Sequence, residues 1–280
     1  MKFKSIQVII MTLMINTNTK SLEFPKVETL AQQPSDHLQR LSSYPYISGD
    51  TFRGFCDFII DKTNKFIDTD KIQNGDTIFM DAYTEFLDFF FQYVHPNIKS
   101  NYILVTHNSC KSDFNSYLKY LSDDKIIAWF GQNLTLDHKK AFPLPIGLAN
   151  RYWKHGNIDI INDQIKNIPN KDTLLYVNMT ITNPKRLPIY NYFASQKFCT
   201  LSKNKEFKYF INDMAKSKFV ISPPGSGTDC LRTWEALYLG TIPIIETSKL
   251  DPLFQDLPIV ISPSPSEGLD GCEQSQGLPN

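Results

Sequence analysis

The residue types best suited to chemistry are concentrated in Lys218–Glu246, KFVISPPGSGTDCLRTWEALYLGTIPIIE. An apolar run ends at Ser222, where Pro223 and Pro224 hold the chain extended and withhold N–H donors, so a strand should stop there. Gly225 and Gly227 free the backbone for a tight turn. Ser226 with Asp229 three residues on is a capping-box-like signal, and Thr228 is a second N-cap candidate. The helix that follows should run to Gly240, placed as a C′ glycine, with Pro243 beyond it. A strand, a glycine turn and a helix start at the carboxyl edge of a parallel sheet aim free N–H groups at one point. That is an anion site suited to phosphate. Along the helix, Thr228, Arg232 and Glu235 follow i, i+4, i+7 spacing on one polar stripe, opposite Cys230, Trp234, Leu237 and Tyr238. Arg232 could meet a phosphate charge, and Glu235 could accept two ribose hydroxyls. The spacing serves equally well for an Arg232–Glu235 surface pair at i, i+3.

The rest of the chain must supply the sheet that positions this turn. Strand-like runs alternate with helical ones in two groups, at about 49–157 and from about 170 onward, which predicts parallel βαβ units and an α/β fold of two packed Rossmann-like domains. The strands are expected in GDTIFMDA, NYILVTHNS, KIIAWFGQN, DTLLYVNMT, KFCTLS, KFVIS, TIPIIE and PIVIS. TFRGFCDFIID spaces its apolar residues as one helical face, AFPLPIGLANRYW looks loop-like, and the polar stretch 152–170 looks like a linker. The expected organisation is a signal-like segment 1–22, a first domain 23–157, a second domain 158–262 and a disordered tail 263–280. Lys2 and Lys4 before the apolar run Ser5–Ile15 give the first segment its secretory layout, too short for a comfortable membrane span. Such a segment would direct the chain to the secretory pathway or cell envelope, with a membrane contact through the N-terminus; without it the chain would be cytoplasmic.

Lys+Arg and Asp+Glu both count 29, so no basic excess points to a nucleic-acid partner. Twenty Phe and 13 Tyr supply a core and exclude disorder for most of the chain. Five cysteines, Cys56, Cys110, Cys199, Cys230 and Cys272, form no CxxC pair and read as single thiols.

The order apolar strand, S-P-x-G-x-G, polar pair, Arg, E-A-L, glycine and I-P-I over residues 218–246 resembles the nucleotide-sugar-binding segment of exostosin-like glycosyltransferases. The resemblance extends more weakly over the α/β alternation of residues 49–262. It implies a GT-B-like arrangement, two Rossmann-like domains with a cleft between them. It also implies a donor-binding set of Ser222, Pro224, Gly225, Ser226, Gly227, Thr228, Arg232 and Glu235. In such enzymes the turn holds the donor diphosphate and the helix Glu holds the ribose. The implied activity is transfer of a sugar from a nucleoside diphosphate donor, with UDP the expected nucleotide, to a glycan or other hydroxyl acceptor with inversion.

Direct displacement at the anomeric carbon needs a base for the acceptor hydroxyl. His107, just past a strand in LVTHNS, is the first candidate, and Asp50 in SGDTFRGFCD the second. Arg53, Asp57, Gln132, Asn133, Asn150, Arg151, Trp153 and His155 also stand at strand ends or helix starts, where polar residues commonly serve structure alone. Lys185 and Arg186 follow the first strand of the second domain. Arg186 is expected to stabilise the leaving diphosphate, a solvated pair at a helix start being the plain alternative. There is no HExxH, and the triplet Asp68–Asp70 lies in a polar loop, so neither an essential metal nor a cofactor is expected. Two rival functions remain open. One is a catalytically inactive nucleotide-sugar or glycan-binding module of the same fold, favoured by the lack of a helical pattern after PIVIS. The other is an unrelated nucleotide-binding Rossmann enzyme, disfavoured by the lack of G-x-G-x-x-G followed by an acidic residue.

Overall fold

The computed structural model describes residues 40–263. The signal-like segment and the expected disordered tail beyond Pro263 lie outside the described residues. The protein is α/β, with two parallel five-stranded sheets in a two-domain, Rossmann-like arrangement. No helix among the described residues is long and apolar enough to cross a membrane.

The first sheet holds β1 (Phe58–Ile60), β2 (Asp76–Asp81), β3 (Tyr102–His107), β4 (Ile126–Gln132) and β5 (Ala141–Leu144), side by side in chain order and all parallel. Right-handed crossovers that always step the same way must all lie on one face. On that face α2 (Thr84–Phe89), its π-helical continuation Phe90–Val94 and the tight helix Asn115–Ser122 pack Leu87, Phe90, Phe91 and Leu121 against Ile78, Met80, Leu104 and Trp129. The alternate residues Phe79, Val105 and Phe130 point the other way. They are covered by Phe52 of α1 (Gly49–Gly54) and by Ile47.

The second sheet holds β6 (Thr173–Asn178), β7 (Cys199–Ser202), β8 (Ser217–Ile221), β9 (Ile242–Glu246) and β10 (Val260–Ser262), in the order β7-β6-β8-β9-β10. The direction of strand addition reverses between β6 and β8. That reversal sends α4 (Arg186–Ala194) to one face, over Leu175 and Val177. It sends α5 (Phe207–Ala215) and α6 (Leu231–Tyr238) to the other, where with α3 (Ile158–Lys166) they bury Tyr176, Val220 and Ile245. In an open parallel sheet the ligand position is outside the carboxyl ends of the strands at such a switch point. Here that is the gap between the loops after β6 and β8.

Three expectations need correction. TFRGFCDFIID is not one helix, because α1 stops at Gly54 and Phe58–Ile60 pair with Ile78–Met80 as a strand. AFPLPIGLANRYW contains β5, and Pro143 is tolerated because β5 is an edge strand with one side free of the ladder. The stretch read as a linker contains α3, whose Ile161 is buried in the second core.

Residues before α1 stitch the two halves together. Tyr46 lies in the second core with its ring 4.9 Å from that of Tyr238, and its hydroxyl donates to Asn162 Oδ1 at 2.6 Å. The next residue, Ile47, packs in the first core while its N–H donates to the Tyr238 hydroxyl at 3.1 Å.

Candidate functional site

The glycine turn follows β8 at the switch point. Ser222 is buried and serves the fold, its N–H donating to Ile244 O at 2.8 Å and its hydroxyl paired with Thr233 Oγ1 at 2.9 Å. Gly225 N–H closes the turn on Gly227 O at 2.9 Å. The N–H groups of Ser226, Gly227 and Thr228 donate to nothing among the described residues, and Ser226 is exposed.

Helix α6 begins later than expected. Its N-cap is Cys230, with no side-chain cap, so neither Ser226 nor Thr228 fills that role. The reason is tertiary. The Asp229 carboxylate, expected in a capping box, accepts the N–H of Ile146 at 2.7 Å, the indole N–H of Trp234 at 2.9 Å and the N–H of Cys230 at 2.8 Å. Burial pushes the Asp229 carboxyl up to about 7. The far end is as expected: Gly240 has φ 65°, its N–H bonds Leu237 O, and Thr241 N–H bonds Ala236 O, which is a Schellman closure.

The helix carries the two residues in question into the protein and not onto its surface. Glu235 is 4% exposed, and its carboxylate receives no hydrogen bond among the described residues. Burial pushes it up to about 7, opposed only by the charge of Arg232. Arg232 is half-buried, but its Nε and Nη1 are enclosed and have no partner. Arg232 and Glu235 form no ion pair, which corrects the surface-pair alternative. A buried donor or acceptor left unpaired costs about 1–3 kcal/mol, more when charged. The enclosed, unpartnered Arg232 nitrogens, with the buried Glu235 carboxyl three residues on, mark a place that an additional molecule would complete.

Arg186, the first residue of α4, crosses the switch point. Its Nε donates to Pro224 O at 2.8 Å and its Nη2 to Pro223 O at 2.9 Å, both after β8. Its Nη1 reaches Thr180 O at 2.9 Å and Thr182 Oγ1 at 3.2 Å, after β6, and Nη2 also contacts Cys230 Sγ at 3.5 Å. Every guanidinium donor is therefore engaged with the protein, an arrangement that sets the shape of the turn rather than leaving a donor for a leaving group. No carboxylate among the described residues pairs with Arg186, so its charge stands uncompensated near Arg232, whose basicity is lowered first by burial and further by Arg186. Lys185 is exposed, with Nζ 3.7 Å from the Glu246 carboxylate.

The first sheet presents its own carboxyl edge. His107 is 1% exposed. Its Nδ1 accepts the Asn108 N–H at 2.8 Å, so Nε2 carries the proton and donates to Pro145 O at 3.1 Å, and burial lowers its pKa to about 4. Neither ring nitrogen is open to take a proton from an acceptor as placed. Asp50 is likewise enclosed, held by Arg40 at 2.7 Å and by Asn108 Nδ2 at 3.4 Å, with its own N–H on Asn150 Oδ1 at 2.8 Å. Arg40 also approaches Asp81 at 3.5 Å and Asp61 at 3.7 Å, and Asp61 takes Arg53 Nε at 2.7 Å. Burial raises Asp81 despite Arg40. Gly49 is required by this packing, since a Cβ there would stand 1.8 Å from Asn108 Oδ1. The structure thus brings His107 and Asp50 together with each other, while the residue after the glycine turn, Asp229, meets the first domain at Asn133 and at Ile146, the neighbour of the His107 partner Pro145. Asp57 pairs with Thr77, and Trp153 and His155 stack on each other in an exposed aromatic run.

Sequence reasoning passed over Arg40, in the lead-in, and Asp81. The available signal for Asp81 was an acidic residue closing an apolar strand. Among the described residues no group of three or more His, Cys, Asp or Glu stands where it could hold a metal ion. Cys56, Cys110, Cys199 and Cys230 are free thiols. No protein-family model matches the chain, and a search of curated proteins finds no relative.

Proposed function

We propose that the protein binds a nucleoside diphosphate sugar at the carboxyl edge of its second sheet and transfers the sugar to a glycan or other hydroxyl acceptor, with inversion, as a GT-B-type enzyme of exostosin-like character. The observation that carries this reading is the enclosed, unpartnered Nε and Nη1 of Arg232 beside the buried carboxyl of Glu235. A nucleoside diphosphate offers both missing complements, anionic oxygens for Arg232 and vicinal ribose hydroxyls for Glu235. The free N–H groups of Ser226, Gly227 and Thr228, and the uncompensated Arg186 charge, favour an anion at the same turn. The nucleotide would be bound as substrate, without a resident cofactor.

A second reading, a binding module of the same fold without turnover, is favoured by one set of facts: both ring nitrogens of His107, the Asp50 carboxylate and every donor of Arg186 are engaged within the chain. Incubation with UDP- and GDP-sugars and hydroxyl acceptors separates the two. Release of nucleoside diphosphate, abolished in Glu235→Gln, supports the enzyme. Saturable nucleotide binding with no release over hours supports the module.

A further inference from the structure

We infer that Asn133, at the carboxyl end of β4 in the first domain, donates a hydrogen bond to the phosphate of a nucleotide held at the glycine turn of the second domain. The inference rests on the nucleotide reading above and gives that site a residue from the other half of the molecule. Asn133 is 0% exposed and sits at φ 56°, a left-handed conformation that asparagine tolerates better than most residues. Its Oδ1 accepts the Asp229 N–H at 2.9 Å, which fixes the orientation of the amide and turns Nδ2 toward the glycine turn. A Cβ built on Gly227 would lie 2.7 Å from that Nδ2, so glycine is the residue that admits the approach. Yet Nδ2 is enclosed and has no acceptor.

Of the five enclosed side-chain atoms without a partner among the described residues, Arg232 Nε, Arg232 Nη1, Gln132 Oε1 and Asn133 Nδ2 all belong to α6 or to the end of β4. Asn133 Nδ2 is the one that abuts the turn. The N–H groups of the turn it abuts, those of Ser226, Gly227 and Thr228, are also unused donors. Gln132 Oε1, on the preceding residue, is the one acceptor among these four atoms; the donors, Asn133 Nδ2 and the turn N–H groups beside the Arg186 guanidinium, outnumber it and suit a negatively charged acceptor. Phosphate oxygen meets that description and a sugar hydroxyl does not. Asn133 is thus a binding and positioning residue. Because its Oδ1 holds the Asp229 N–H, ligand occupancy and domain contact share one side chain.

The test uses the full chain and two probes, UDP and inorganic pyrophosphate, titrated calorimetrically into wild type and Asn133→Asp. The substitution keeps an oxygen for the Asp229 N–H and removes the donor. We expect at least a tenfold loss of affinity for both probes, with Glu235→Gln weakening UDP but leaving pyrophosphate unchanged. Wild-type affinity in Asn133→Asp would overturn the assignment of Asn133 while leaving the nucleotide site standing. Failure of wild type to bind either probe would overturn both. Should Asn133→Asp not fold, Asn133→Gly, which suits φ 56°, removes the same donor and decides the matter by the same criterion.

Discussion

Glu235 is a carboxyl held in a place that suits its neutral form. Its folded value, about 7, stands above its ordinary 4.5. The folded state therefore holds this proton more tightly than the unfolded chain. The corresponding stability is present in full below the unfolded value and is lost as pH climbs toward the folded one. Glu235→Gln, neutral at every pH, should then stabilise the free protein by about 2–3 kcal/mol at pH 8 and by almost nothing near pH 4.5. Urea unfolding of the two proteins at both pH values checks this, and an equal difference at the two would contradict it. The same proton governs the ligand. Ionised Glu235 can accept two hydroxyls, so nucleoside diphosphate affinity should rise between pH 6 and pH 8 in wild type and stay flatter in Glu235→Gln. Asp229, also raised to about 7, serves both proteins equally and drops out of the comparison.

Helix α6 owes its position to its neighbours more than to its own sequence. From Thr233 to Leu239 every residue is buried, so past its first turn the polar stripe of the helix is enclosed along with the apolar one. Its closing turn is fastened by Lys171, whose ammonium reaches Ala215 O and Ser217 O at 3.0 Å, Leu239 O at 3.2 Å and Thr241 Oγ1 at 2.8 Å. One side chain ties the ends of α5 and α6 to the starts of β6 and β8. Lys171→Met, similar in length and without donors, should cost about 2–4 kcal/mol, since it strands several buried acceptors at once. A urea midpoint within error of wild type would refute that role. The glycine C′ end and the strands flanking α6 were legible because they depend on local chemistry, φ freedom and apolar runs. The start at Cys230 was not, because Asp229 is drawn to Ile146, 83 residues earlier. β5 was hidden by Pro143 and α3 by the polarity of its exposed side, both decided by what packs beside them. In the same way Arg232 and Glu235 could be named from their order, while only the fold distinguishes an exposed pair from two enclosed, separate charges.

At the scale of the whole molecule, the two sheets differ in a way that divides the work. The first adds its strands in one direction and has no switch point, and the second reverses between β6 and β8. Only the second has the topology that opens a ligand position at the carboxyl ends of its strands. The first contributes contacts that hold the turn: Asn133 to Asp229 N–H, Ile146 N–H to the Asp229 carboxylate, and Ile47 N–H to Tyr238. Tyr46 and Leu148 reach into the second core. With cores interleaved in this way, calorimetric unfolding should give one transition rather than two separate ones. Tyr46→Phe, which removes the hydroxyl bonded to Asn162, should lower its midpoint without splitting it.

On the proposed function, Arg232 and Glu235 take up a nucleoside diphosphate. Isothermal titration of UDP and GDP into wild type, Arg232→Met and Glu235→Gln at pH 8 tests it most directly. Saturable binding of at least one nucleotide to wild type is expected, with at least a tenfold loss in each variant. Absence of binding to wild type, or variants that bind as wild type does, would contradict it.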